Sequence, residues 1–146
     1  MLSNATEVAD QTRQLSLQIA LQPIIGFNPI SNLSVYQQTH NLQFSGLASK
    51  LPDNIHLLSL ENRGPVQGNQ ILARFENYYQ PNDQSKLSVE SKVSLNVLAG
   101  VKIDKVARTN LVLGAKNEIK THEFSLKPQE IGTFLIDVSR NISGGK

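Results

Sequence analysis

The sequence predicts an all-β fold, an antiparallel β-sandwich of about seven to eight strands. Three observations carry that expectation. Apolar residues recur mostly at every second position, the spacing that puts them on one face of a strand. Turn residues punctuate the chain at strand-length intervals. Nothing supplies the long 3.6-period helices that a doubly wound fold needs.

Leu15, Leu17, Ile19 and Leu21 alternate with Ser16, Gln18 and Ala20 and read as a first strand. Pro23, Gly26 and Asn28-Pro29 then turn the chain. Leu33, Val35 and Tyr36 read as a short strand, and 37–49 as an extended packed loop anchored by Leu42, Phe44 and Leu47. Ile55–Leu60 is the next strand, bounded by Pro52-Asp53 and by the polar stretch 62–68. Gln70–Tyr79 follows, with Ile71, Ala73 and Phe75 on one side and Leu72, Arg74, Glu76 and Tyr78 on the other. Val89, Val93, Leu95 and Val97 form a one-sided strand, interrupted at Ser91. Val101 with Ile103, and Leu111–Leu113, read as short strands; Ile119–Leu126 returns across the sheet and Ile131–Val138 closes it. The organisation expected is an N-terminal strand and packed loop over 1–50, a sandwich body over 51–140 and a frayed tail over 141–146.

Composition narrows the function classes. The 146 residues are 39% hydrophobic and 18% charged, apolar enough for a folded domain. The net charge of +2 and the lack of a long basic tail give no reason to expect a nucleic-acid partner. Lys102, Lys105 and Arg108, diluted by Asp104, read as a solvated strand edge. With no cysteine, these residues form no disulfide, thiolate zinc site or cysteine nucleophile. No apolar run is long enough to span a membrane, and Met1–Asp10 lacks the character of a secretory signal.

Catalytic constellations are not evident. His40, His56 and His122 are dispersed, without the close spacing of a metal site, so no metal ligand is assigned. Glu61 and Glu76 are the carboxylates that a hairpin brings nearest to a hydrolytic pair, with Arg63 or Arg74 as alternative salt-bridge partners. No phosphate-cradling glycine loop is present. Arg74, Glu76 and Tyr78, with His56 on the neighbouring strand, form a candidate domain-interface stripe. Asn4-Ala5-Thr6, Asn32-Leu33-Ser34 and Asn141-Ile142-Ser143 make Asn4, Asn32 and Asn141 candidate N-glycosylation sites, or chance matches in an Asn- and Ser-rich chain.

Two stretches in sequence, Leu51-Pro52-Asp53-Asn54-Ile55-His56-Leu57-Leu58-Ser59-Leu60 and Ile71-Leu72-Ala73-Arg74-Phe75-Glu76-Asn77-Tyr78-Tyr79, are similar to consecutive strands of a known family. Asp83, Leu87, Ser88, Val93, Leu95 and Leu98 follow in order, as do Phe124, Leu126, Pro128, Glu130, Ile131, Thr133 and Phe134. Over about residues 44–138 the chain resembles the carboxy-terminal β region of lysosomal-type α-mannosidases, glycoside hydrolase family 38. Residues 1–43 match loosely. Arg108-Thr109 stands where that family usually has glutamate-threonine.

The resemblance implies a non-catalytic sandwich supporting an upstream catalytic domain, or companion chain, that cleaves terminal α-mannose with retention. Zinc, nucleophile and acid/base belong to that domain, so no cofactor and no catalytic residue are assigned to this chain. It also implies a lysosomal or secreted setting and contact with mannose-containing glycans. The alternative reading is a freestanding carbohydrate- or protein-binding sandwich.

Overall fold

The structure, a computed structural model, describes residues 5–64, 69–83, 85–114 and 116–140. It divides into two units, one ending at Ser45 and one beginning at Gly46. The candidate glycosylation residues Asn4 and Asn141, and the tail 141–146, lie outside the described residues.

The first unit is helical, which corrects the strands expected there. Helix α1 spans Ala5–Ala20. Ala, Gln, Leu, Glu and Arg dominate it, all strong helix formers, and no Gly or Pro occurs before Pro23. Thr12 and Ser16 donate their hydroxyls to the carbonyls four residues back, at 2.7 and 2.8 Å. Alternate residues on a helix step around its circumference, so Leu15, Ile19 and Leu21 share no buried face, and each is more than half exposed. Helix α2 spans Leu33–Thr39, where a short strand was expected. Asn32 caps it: its backbone is extended and its Oδ1 accepts from the Val35 amide at 3.2 Å.

The second unit is an antiparallel β-sandwich. Its seven described strands are β1 (Ile55–Asn62), β2 (Gln70–Asn77), β3 (Ser91–Ser94), β4 (Val101–Thr109), β5 (Lys116–Ile119), β6 (Glu123–Leu126) and β7 (Ile131–Arg140). Five form one sheet in the order β1-β2-β7-β4-β5, and β3 pairs with β6 in a second. Alternation places Ala73 and Phe75 of β2, Phe134 and Ile136 of β7 and Val106 of β4 on the inner face. Val93 and the β6 residues Phe124 and Leu126 meet them from the small sheet. Three rings interlock at the centre, Phe124 lying 4.1 Å from Phe134 and 5.4 Å from Phe75 between centroids. Gly132 lies beneath them because a Cβ there would sit 2.8 Å from the Phe134 ring and 2.9 Å from Leu126.

Several boundaries differ from the sequence expectation. Leu95–Val97 is a 3-10 turn, started by Ser94 and buried at both apolar residues. Leu111–Leu113 is a turn, exposed at Leu111 and Val112 and with Leu113 at φ 61°, not a strand. The single return strand over 119–126 is β5 and β6, separated by a bend at 120–122 and belonging to different sheets. Val101 and Ile103 begin a nine-residue strand whose alternation is masked by an extra residue, Asp104.

Buried asparagines tie the 80–90 loop to the sheet. Asn54 Nδ2 donates to the carbonyls of Leu87 and Val89 at 3.0 and 2.9 Å, and its Oδ1 accepts from Ser91. Asn77 Nδ2 donates to the carbonyls of Val89 and Leu126.

Candidate functional site

The outer face of the five-stranded sheet carries the polar residues that the sequence singles out. It faces away from the phenylalanine core because its residues alternate with core positions on β2 and β7. Cross-strand register sets them in rungs. Ser59, Arg74, Thr133, Thr109 and Lys116 form one rung across all five strands. Glu61, Leu72, Leu135, Ala107 and Glu118 form the next.

His56 and Glu76 are direct cross-strand partners, joined at 2.8 Å between Nδ1 and Oε1, and both side chains are about four-fifths buried. Arg74 donates through Nη1 to Ser59 Oγ at 2.9 Å and to Glu61 Oε1. Tyr78 lies past the end of β2, where its hydroxyl donates to the Asp53 carbonyl at 2.6 Å. The structure thus sets His56, Arg74 and Glu76 on one sheet face and leaves Tyr78 beyond the strand.

Sequence reasoning missed the centre of this face. Leu72 and Leu135 are almost fully buried there, although neither belongs to the inner core. Thr109 and Thr133 pair across β4 and β7; their buried hydroxyls have no hydrogen-bond partner among the described residues. Their signal was weak, since threonine in a strand is ordinary. Beside the apolar pair, Gln70, Lys105, Lys116, Glu118 and Asp137 help to line a shallow groove of about 300 Å³. Gln70 donates to Asp137 across its floor at 2.7 Å. A second cleft, about 320 Å³, opens on the inner face and is lined by Leu60, Ile71, Val101 and Val138.

Three carboxylates of the sandwich, Glu61, Glu76 and Glu130, each contact a basic side chain. Glu61 and Glu76 lie at opposite ends of the β1-β2 pair, the first beside Arg74 and the second on His56, so the two do not face each other. Arg108 sits against Phe134, 5.8 Å from the ring centroid, and donates to Glu130 Oε1 at 2.6 Å. That contact corrects the reading of Arg108 as part of a solvated edge. Glu130 Oε2 accepts from the Lys127 amide at 2.9 Å.

The histidines are likewise engaged apart from each other. His40 bonds Thr39 Oγ1 at 2.8 Å, and His122 faces Asn96 Oδ1 at 3.2 Å. Among the described residues no three His, Cys, Asp or Glu side chains gather in a way that would hold a metal ion. Zinc therefore finds no matching ligand set in them. No helix among the described residues is long and apolar enough to cross a membrane.

No family model matches the sequence. The chain is similar to mouse lysosomal α-mannosidase, with 33% identity over 99 residues covering 66% of this chain and 9% of the mouse protein. It is similar to human lysosomal α-mannosidase at 27% identity, over 94% of this chain and 16% of the human protein. The chain thus spans roughly a tenth to a sixth of the curated relatives it matches.

Proposed function

We propose that this chain is a non-catalytic β-sandwich module from the carboxy-terminal region of a family 38 α-mannosidase. In this reading it packs against an upstream catalytic domain or companion chain, which holds zinc and hydrolyses terminal α-mannose with retention. The observation that carries the reading is the similarity to two lysosomal α-mannosidases. It agrees with an antiparallel sandwich whose described carboxylates Glu61, Glu76 and Glu130 are engaged by cations or by a histidine. A lysosomal or secreted setting goes with it.

The contact surface proposed is the outer sheet face around His56, Arg74 and Glu76, with Tyr78 at its margin. The Arg74–Glu61 ion pair and the His56–Glu76 hydrogen bond, on the same face as the buried Leu72 and Leu135, suit a polar, pre-organised interface. Mannose-containing glycans reach such a module through the enzyme it serves, not through a tryptophan platform, since the chain has no tryptophan.

The test combines the chain with the remainder of its parent polypeptide, made as a separate piece. The chain alone, given an aryl α-mannoside and zinc, is expected to show no turnover. Added to the catalytic piece, it is expected to bind and to raise that piece's melting temperature. Arg74→Glu should weaken the association at least tenfold, by placing a second carboxylate beside Glu61. Turnover by the chain alone, or no binding to the catalytic piece, overturns the proposal; glycan capture without such binding points to the freestanding module.

A further inference from the structure

We infer that Asn32 is an N-glycan attachment site whose modification leaves the fold around it intact. Asn32-Leu33-Ser34 is the acceptor triplet, with no proline at its centre. It is the one triplet of the three whose asparagine falls among the described residues, and all three of its residues are exposed.

The carboxamide divides its two atoms between two tasks. Oδ1 accepts from the Val35 amide at 3.2 Å and caps α2. Nδ2, the atom that carries the sugar, has no hydrogen-bond partner among the described residues. An N-linked amide keeps its carbonyl oxygen, so the cap and the glycan coexist on one side chain. The surface beside it gains from cover. Ile30, Leu33 and Val35 are between 44% and 58% exposed. Tyr36 and His40 stack nearby with ring centroids 4.1 Å apart. A shallow recess involving Ile30, Val35, Tyr36 and Asn32 itself lies within reach of the first sugar.

The step is a glycosyl transfer. Nδ2 displaces a diphosphate from the anomeric carbon of a lipid-linked oligosaccharide, a polyprenyl diphosphate donor used by the secretory pathway. A C–N bond forms, the C–O bond to the diphosphate breaks, Nδ2 gives up one proton, and the polyprenyl diphosphate leaves.

The test expresses the full chain behind a cleavable secretion signal in a eukaryotic host and recovers it from the medium. Trypsin cuts after Arg13, Lys50 and Arg140, so each of the three triplets falls in a different peptide. The 14–50 peptide is expected to carry a hexose-rich mass increment that peptide-N-glycosidase removes, leaving aspartate at position 32. Ser34→Ala should abolish the increment. Asn32→Asp should abolish it too while keeping a capping oxygen in place, which separates loss of the sugar from loss of the fold. A bare 14–50 peptide in secreted protein overturns the inference. Because the assay supplies passage through the secretory pathway, that result does not bear on the α-mannosidase reading.

Discussion

The carboxamide of Asn77 joins two segments that are far apart in sequence. Its Nδ2 reaches the Val89 and Leu126 carbonyls, and its Oδ1 accepts from the Tyr79 amide at 3.3 Å. Asn77→Ala strands those carbonyls in a site only 1% exposed. It is expected to cost about 1–3 kcal/mol in urea unfolding. Gly132→Ala tests the opposite limit: the added methyl has nowhere to go between Phe134 and Leu126, and the loss should again be about 1–3 kcal/mol through overpacking. A gain in stability there would contradict the ring packing described. Lys50 makes the contrast. Its hydrogen bond to Asp53, with the attraction between the two charges, raises its pKa, but the side chain is fully exposed. Any stability it lends is present below the ordinary lysine value and fades as pH rises through the folded one. Near neutral pH, Lys50→Ala should leave the urea midpoint where it is.

At the scale of elements, the antiparallel pair β1-β2 couples its strands through side chains as well as backbone. A double-mutant cycle on His56 and Glu76 at neutral pH, read by urea unfolding, should return a coupling of about 0.5–1.5 kcal/mol. A coupling of zero would mean the pair is not formed in solution. Here the sequence was most legible. Ile55–Leu60 and Gln70–Tyr79 were readable as strands because turn residues bound them and one face is apolar. Elements failed to read where pattern and context disagreed. Leu15, Leu17 and Ile19 alternate like a strand, yet the residues between and around them are helix formers with no sheet to join. Asn32 before Leu33 is a helix-start signal, and it outweighs the strand preference of Val35 and Tyr36. Leu95 and Val97 alternate, but one turn of 3-10 helix buries both equally well. Parity alone puts Arg74 and Glu76 on one strand face, but it also puts Tyr78 there, and β2 ends at Asn77. Thr109 and Thr133 were not readable, because their significance comes from register between strands distant in sequence.

For the molecule as a whole, the hydrophobic core cluster belongs to the unit beginning at Gly46. None of the described side chains before that point falls in the buried class. A chain shortened to 46–146 is therefore expected to unfold in a single cooperative transition and to keep dispersed methyl and aromatic ring resonances. Broad, undispersed spectra from the shortened chain would show that the sandwich needs residues 1–45.

Strand β1 has one further consequence. It is the long margin of the larger sheet, eight residues whose far side offers amide and carbonyl groups to any passing strand. Leu58 is an extra residue there: Leu57 pairs with Phe75 and Ser59 with Arg74, so the ladder skips a step. A regular strand laid alongside meets an irregular margin, which disfavours the pairing of edge to edge.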